Sequence, residues 1–504
     1  MARTGLPMRQ PQSRTMRFLV DSRIRWDARA LPRVVVEDVQ RALTFPNRTK
    51  QIAKEQKVRG WQQMPDTVTL FDPRSLPRGF ALQMRRILER HGIQIDWADR
   101  RVHVPVWTGG WKTVQLRDYQ EQACDRIEAV QQGIWQSPPA SGKTVTVLEA
   151  IRRCGQRAVV IVNTSNIARQ WVERSEQFLG YTPGVVGDGD FEVSDITIAL
   201  QQTLWARRDE LDDKGFWSMF GFVCLDECHH LPAHTFRDTV QRFPAAWRIG
   251  VSGTPEMQQG TLPEMQAILG HRFHVTPKKT LVDAGVLAKP RVDVIVTAFD
   301  FDYVPTHEHR PGTNCEVHGC TASRHTRRHS NNYSAMMSAL VEDPTRNEQI
   351  AIKVVESLKQ GRTVIVVSKR LKHLDALAAA CGAKGAKLEQ LYRFSGGEST
   401  EQRMQIAEVA MKGGVALFST LGDEALDIPR LDTVVLAYPT RNTKLIEQRV
   451  GRVERIHADK FEPLIIDVFD REMGVLRRQF FERKRDVYDR DGLDVQGLPG
   501  LRAV

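Results

Sequence analysis

The sequence has no apolar run approaching the roughly 20 residues that a membrane-spanning helix requires. It has only seven cysteines in 504 residues, an odd number and widely scattered, which excludes a disulfide framework and suits a reducing compartment. An intracellular, cytoplasmic protein is expected, nucleoid-associated if the source is a prokaryote or a phage. No tryptophan follows Trp247, and no repeat recurs at solenoid spacing. The first twenty residues contain no acid, but Arg3, Arg9, Arg14 and Arg17 lie in a stretch without amphipathic spacing, so a transit peptide is not expected.

What is present is a soluble, globular composition, 41% hydrophobic and 26% charged, on a chain long enough for about three folding units. The net charge of +11 is unevenly placed. Residues 1–115 hold 22 Lys and Arg against 10 Asp and Glu, whereas the remainder holds 50 against 51. A basic region of that kind suits a polyanion, since each neutralised phosphate releases condensed counterions. Residues 1–112, with short apolar runs such as Val34-Val35-Val36 and turn signals at Pro65-Asp66 and Asp72-Pro73, read as a basic, mixed α/β accessory domain that binds DNA.

From Leu116 onward, strands rich in β-branched residues alternate with helical stretches, the pattern of a parallel sheet covered by helices. Ala158 to Val162 and Phe222 to Leu225 are expected to be buried strands. The alternation restarts after Arg346, with a helix from Ile350 to Leu358 and strands at Thr363 to Val367, Val415 to Phe418 and Thr433 to Leu436. Two sheets are therefore expected, in domains at 113–285 and 286–470. A polar, histidine-rich insertion interrupts the second at 303–332, and a charged helical tail follows at 471–504.

The strongest local signal is Ser137-Pro138-Pro139-Ala140-Ser141-Gly142-Lys143-Thr144, opening a helical run. In such a loop the backbone amides, with Ser141 and Gly142, face phosphates. Lys143 neutralises the β and γ charge, and Thr144 offers a hydroxyl to magnesium. Ser137 and Ala140 stand where glycine is commoner. Asp226 and Glu227 follow a buried strand, placing an acid pair where Asp226 binds magnesium and Glu227 polarises the attacking water. Far downstream, Gln448-Arg449-Val450-Gly451-Arg452-Val453-Glu454-Arg455 spaces three arginines on one helical face. Arg452 and Arg455 would meet charge developing on a γ-phosphate.

In order and spacing, these segments resemble the motifs of superfamily 2 helicases. The DNA-directed branches of the XPB, UvsW and restriction-motor type are the most similar, carrying Asp226-Glu227-Cys228-His229 in a DEAH-like form. The resemblance covers residues 116 to about 470 and implies two RecA-like domains in tandem. It implies that Arg117 and Gln120 read the adenine and that Asp427 also contacts the nucleotide. Thr164, Gln202, Thr203 and Thr420 would touch the nucleic acid. Ser252 and Thr254, in a segment with Gly253 where alanine is usual, would couple hydrolysis to movement. Gln448, Arg452 and Arg455 would join Lys143, Asp226 and Glu227 in catalysis.

ATP and Mg2+ are the cofactors implied. The activity implied is an ATP-dependent helicase, acting as a monomer on single-stranded, duplex or branched DNA. The absence of an Asp-Glu-Ala-Asp motif makes RNA the less favoured partner. A duplex translocase that does not separate strands and a nucleotide-gated DNA clamp are the alternative readings.

Three features stand outside this scheme. Cys315, Cys320, His325 and His329 could supply a structural zinc, against the alternative of a flexible basic loop with incidental histidines. Cys228, beside two carboxylates, is expected to pack rather than react. Most tryptophans are expected to be core residues.

Overall fold

The structure, a computed structural model, describes residues 14–55, 60–253, 261–304, 307–309, 327–329, 332–394, 397–420, 428–440 and 443–498. The chain forms two compact units, Met1–Pro277 and Lys278–Val504.

The first unit begins with a small sheet in which Arg14–Val20 lies parallel to Ile93–Asp99 and antiparallel to Arg23–Arg25, which pairs in turn with Ser75–Pro77. Helices Arg33–Ala42 and Ala81–Arg90 accompany it. The Val34 to Val36 run lies in the first of these helices. Pro32 precedes its first turn, Val35 and Val39 fall four apart on the buried face, and Val34 is left exposed.

This mixed α/β element shares one hydrophobic core with the larger sheet of the same unit: Phe18, Ile24, Leu76 and Phe80 belong to the same cluster as Phe243, Ala245, Ile268 and Leu269. A Cβ on Gly79 would lie 2.3 Å from the Gly270 nitrogen, so the two backbones meet without room for any side chain. Two buried arginines span the junction. Arg78 donates from Nη1 to the Ala245 carbonyl at 2.6 Å, and Arg248 from Nη2 to the Ser22 carbonyl at 3.0 Å. Burial lowers the pKa of both guanidinium groups, each aided by a neighbouring arginine. The compositional boundary at residue 112 is therefore not a boundary of packing.

The larger sheet has, among the described residues, eight strands in the order Asp190–Phe191, Gly184–Gly187, Ile196–Leu200, Ala158–Val162, Phe222–Asp226, Trp247–Ser252, Gln132–Gln136 and Arg272–Val275. All are parallel except the edge hairpin strand Asp190–Phe191. Both faces of the central strands are covered, which is why Ala158–Val162 is buried at every position rather than at alternate ones.

The second unit repeats the architecture. Among the described residues its seven parallel strands run Leu391–Arg393, Ala416–Ser419, Val364–Val367, Thr433–Leu436, Leu464–Asp470, Arg291–Thr297 and Asp494–Gln496. The chain is thus α/β, with two RecA-like parallel-sheet domains in tandem behind an N-terminal mixed α/β element.

The charged C-terminal segment is helical at Gly474–Arg483, and it is packed into the second unit. Helix Gly474–Arg483 buries Leu476 and Phe480, Tyr488 is wholly enclosed, and Asp494–Gln496 adds a strand to the sheet. Arg483 is a buried ion-pair partner of Asp467.

Among the described residues no helix is long and apolar enough to cross a membrane. The five described cysteines are free, with Cys228 buried and its thiol pushed up by burial and then by the adjacent carboxylates. Cys315, Cys320 and His325 lie outside the described residues. His329 belongs to a short strand, Arg327–His329, paired antiparallel with His307–His309, and its side chain is likewise outside the description. No group of three metal-ligating side chains occurs among the described residues, so nothing here supports the expected zinc.

Candidate functional site

In the first unit the candidate residues gather on one rim. In an open parallel sheet, ligands bind beyond the carboxyl ends of the strands, because the following loops and helix N-termini project there. Along that rim, in spatial order, lie Gln202 and Thr203 after Ile196–Leu200, then Thr164 after Ala158–Val162. Next come Asp226 and Glu227 after Phe222–Asp226, Ser252 ending its own strand, and the phosphate loop after Gln132–Gln136. Positions from Ser137 to Ser252 thus come within four strand spacings, about 19 Å.

The phosphate loop is braced from inside. Gly142 takes φ +79° and Ala140 φ +64°, and helix Lys143–Cys154 starts directly after. The Ser137 and Ser141 hydroxyls, both buried, are 2.7 Å apart, which accounts for serine where glycine is commoner. Lys143 Nζ donates to the Ser137 and Pro138 carbonyls at 3.4 Å each, long bonds that hold the ammonium inside the loop. Lys143 and Thr144, the first two residues of the helix, are half-buried.

Gln120 is enclosed. Its Nε2 donates to the Ser141 carbonyl at 3.1 Å, and its Oε1 accepts from the Arg117 backbone N–H at 2.9 Å. Tyr119 Oη donates to the same Ser141 carbonyl at 2.9 Å. The segment expected to read adenine therefore also buttresses the phosphate loop. A Cβ on Gly142 would lie 2.3 Å from Gln120 Nε2, so that contact requires glycine.

Asp226 and Glu227 face this loop closely enough that both carboxylates feel the Lys143 charge. Asp226 Oδ1 accepts from the Glu227 backbone N–H at 2.9 Å, and Oδ2 from Trp171 Nε1 at 2.8 Å. Glu227 has left-handed backbone, φ +47°, a conformation rare for a non-glycine residue outside sites that need it. Ser252 Oγ donates to Glu227 Oε2 at 3.2 Å, and His229 Nδ1 lies 3.0 Å from Ser252 Oγ and 3.2 Å from Glu227 Oε2. If the single hydroxyl proton of Ser252 goes to the carboxylate, the bond to His229 requires the proton on Nδ1.

Burial, and next the neighbouring Glu227, raise the pKa of Asp226. Burial also pushes Glu227 up, but the His229 contact, the Lys143 charge and the Ser252 hydroxyl outweigh it and hold this carboxyl below the usual range. The two adjacent acids titrate as a pair. A half-enclosed rim with two carboxylates and the Thr144 hydroxyl is an oxygen-rich donor set that fits a hard divalent cation.

Gly253, where alanine is usual, has a local cause. A Cβ there would lie 3.2 Å from Pro139 Cδ and 3.4 Å from the Ser137 carbonyl, because the proline-containing loop closes on this strand end. Gly253→Ala is expected to displace the phosphate loop by a few tenths of an ångström and lower kcat for nucleotide hydrolysis about tenfold, a penalty typical of misplaced reacting groups. Single-turnover rates on the purified variant would measure it, and an unchanged rate would exclude the contact as a constraint.

Thr164 caps helix Ser165–Leu179, its hydroxyl accepting from the Ile167 N–H at 3.4 Å, and is exposed, as is Gln202. Thr254 and Asp427 lie outside the described residues.

The remaining candidates belong to the second unit. Thr420 follows strand Ala416–Ser419. Gln448 and Arg452 lie on helix Thr443–Val453, with Gln448 and Arg449 buried and Arg452 partly accessible. The expected face of three arginines is corrected here. The helix ends at Val453, and Arg455 instead makes an isolated bridge with Leu287, its carbonyl accepting from Lys460 Nζ at 2.7 Å. Spacing of three reads as one face only while the helix continues.

That helix is strapped from two sides, a feature that spacing did not suggest. Lys278 Nζ contacts Glu454 at 2.5 Å and Asp491 at 2.8 Å, and Arg490 contacts Asp491 at 2.8 Å and Glu447 at 2.6 Å.

Comparison with known proteins adds an independent line. Residues 113–257 match the family described as "Type III restriction enzyme, res subunit", and residues 347–457 match "Helicase conserved C-terminal domain". The chain is 25% identical over 386 residues to "Probable helicase D10" of Escherichia phage T5, covering 76% of this chain and 77% of that protein. It is 26% identical to "DNA 3'-5' helicase XPB" of Mycobacterium tuberculosis, covering 77% of this chain and 67% of that one. It is also 26% identical to "Putative DNA 3'-5' helicase Rad25" of Halobacterium salinarum, of which it spans only about half, 52%. Among solved structures, the DNA-bound Type ISP restriction-modification enzyme LlaBIII superposes with a TM-score of 0.53 at 16% identity. The overlap covers 77% of this chain and 32% of that one, a likeness of fold.

Proposed function

Because this chain belongs to superfamily 2 of the helicases, of the XPB, UvsW and restriction-motor type, we propose that its ATP hydrolysis drives movement along DNA, unwinding or remodelling duplex or branched substrates. The observation that carries the proposal is the order along the rim of the first unit. Thr164, proposed to grip nucleic acid, follows the strand next to the one that carries the acid pair, and Gln202 and Thr203 follow the strand beyond it, on the same rim as Ser252 and the phosphate loop. A change at the acid pair therefore has only one or two strand spacings to travel.

In this reading Lys143 neutralises the phosphate charge, and Glu227, kept ionised by His229, Ser252 and Lys143, orients and polarises the attacking water. Thr144 and Asp226 would hold magnesium, which when bound supplies charge neutralisation at the β and γ oxygens. Arg117 and Gln120 contact the base. Arg452, with Gln448 and Arg455, is proposed to supply positive charge from the second unit. Hydrolysis then requires both RecA-like domains, which makes it a means of moving one against the other.

The DNA partner is supported by the relatives' printed names and by the basic first hundred residues. Much of that charge is spent locally, as in Arg25 with Asp21, Arg33 with Glu37 and Arg101 with Asp99. Exposed Arg85, Arg86 and Arg90 on helix Ala81–Arg90 remain as phosphate contacts.

The test is the steady-state ATPase rate with single-stranded, duplex and forked DNA and with RNA, alongside unwinding of the fork and displacement of a triplex strand. DNA is expected to stimulate hydrolysis at least tenfold, and Lys143→Ala to abolish it. Triplex displacement without unwinding would reduce the activity to translocation. A rate indifferent to every nucleic acid would overturn the motor.

A further inference from the structure

Trp171 is buried two turns into helix Ser165–Leu179, and its packing does not explain its indole nitrogen. A core position of that size takes phenylalanine or leucine at no polar cost, whereas a buried indole N–H needs an acceptor. The acceptor here is a carboxylate of the ATP site: Nε1 donates to Asp226 Oδ2 at 2.8 Å. The other carboxylate oxygen, Oδ1, accepts from the Glu227 N–H at 2.9 Å.

These two donors settle a torsion that would otherwise be soft. The terminal dihedral of an aspartate joins sp3 and sp2 carbons and has a broad, nearly two-fold profile, so an unheld carboxylate swings. With one oxygen held from its own backbone and the other from a neighbouring helix, the plane of the Asp226 carboxylate is set, and lone pairs remain for a cation or its water. The first donor moves with Asp226 itself. The second is an outside reference, and its position depends on the helix.

That helix begins at the nucleic-acid edge of the rim. Thr164 is its N-cap, exposed at the end of Ala158–Val162, the strand hydrogen-bonded to Phe222–Asp226 with Ile161 opposite Leu225. Seven residues separate Thr164 from Trp171, about 10 Å of helix at 1.5 Å per residue. An α-helix of fifteen residues transmits an axial shift almost undiminished. A displacement of 1 Å along the bond would stretch it from 2.8 Å to about 3.8 Å, beyond hydrogen-bonding reach, and one across it would bend the N–H away from the oxygen.

We propose that Trp171 is a positioning residue: it carries the state of the nucleic-acid edge at Thr164 to the magnesium ligand Asp226 through one hydrogen bond. This rests on the reading of the chain as a DNA-stimulated ATPase, with Thr164 at the nucleic acid and Asp226 at the metal. Its effect is on how well the carboxylate is presented, not on phosphate binding by Lys143. It should therefore separate metal affinity from nucleotide affinity.

The test uses the full chain with Trp171 replaced by benzothienylalanine, in which sulfur takes the place of the N–H while the shape is kept, and with Trp171→Phe as a second variant. Equilibrium binding of a fluorescent, non-hydrolysable ATP analogue is titrated with Mg2+, with and without a single-stranded oligonucleotide. In the wild type, DNA is expected to lower the Mg2+ concentration for half-saturation several-fold. In the benzothienylalanine variant that concentration should rise about tenfold, as when a donor to a metal ligand is lost. The DNA effect should vanish, and affinity for the nucleotide without Mg2+ should be unchanged. An unaltered Mg2+ midpoint, or a DNA effect that persists in the variant, overturns the inference. A wild type with no DNA effect on either Mg2+ midpoint or hydrolysis overturns the motor reading itself, so the two failures are told apart.

Discussion

Glu227→Gln is expected to lower steady-state ATP turnover by about 10²–10⁴-fold, the range for loss of a positioned general base, while nucleotide affinity changes little. The substitution conserves shape, so the left-handed backbone at this position and the contact with Ser252 can persist. What is lost is the negative charge proposed to polarise water, which His229 and Lys143 hold in place. If binding rests on the phosphate loop and turnover on the acid, as proposed, the two should separate in a single experiment. Analogue binding and multiple-turnover hydrolysis are measured side by side at saturating Mg2+ and DNA. Retention of more than a tenth of the wild-type rate would remove Glu227 from the role assigned to it and point to another residue on the rim.

The second large effect is on stability and lies in the second unit. Asp467, fully buried, accepts from Arg483 Nε and Nη2 at 3.0 Å each and from the Tyr488 hydroxyl at 2.8 Å. Breaking a buried ion pair by removing one partner leaves an uncompensated charge and costs about 3–5 kcal/mol. Asp467→Ala is accordingly expected to lower the melting temperature of this unit by roughly 10 °C, at about 2–4 °C per kcal/mol for a domain of this size. Calorimetry on the full chain would record it.

The double replacement Asp467→Leu with Arg483→Met should recover most of the loss, since apolar groups of similar volume need no counter-charge. A single-variant loss below about 1 kcal/mol would mean that water reaches the pair. The consequence extends to function, because Arg483 also bonds the Thr440 carbonyl at 3.4 Å, just ahead of the helix that carries Arg452.

The strands and the loop that carry the chemistry were legible from sequence because their signals are local. Ala158–Val162 and Thr433–Leu436 occur where unbroken runs of β-branched residues placed them, and the phosphate loop opens a helix as its composition requires. Val34-Val35-Val36, in contrast, looks like a strand fragment but is helical, since burial of Val35 and Val39 against the rest of the unit outweighs β-propensity. The terminal segment was legible as charged and helical, but not as buried. Arg483 reads as surface charge until its partner, sixteen residues earlier, is seen beside it. Arg455 failed as a helical neighbour of Arg452 because a spacing argument assumes a helix that here stops two residues sooner.

The sequence by itself determined the chemistry available to this protein: a loop able to cradle phosphates, an acid pair after a buried strand, a distant arginine run, and two rounds of strand and helix to carry them. It could do so because phosphate binding and parallel-sheet burial each demand particular residue types within a short span. Only the tertiary structure decided which groups act on one another. It joined Gln120 to the phosphate loop, Ser252 and His229 to Glu227, Trp171 to Asp226, and the N-terminal element to the first RecA-like core through Arg78 and Arg248. These contacts unite residues at sequence separations from two to more than two hundred. The strength of a hydrogen bond or of a buried charge depends on distance and enclosure in space, which the order of residues along a chain does not fix.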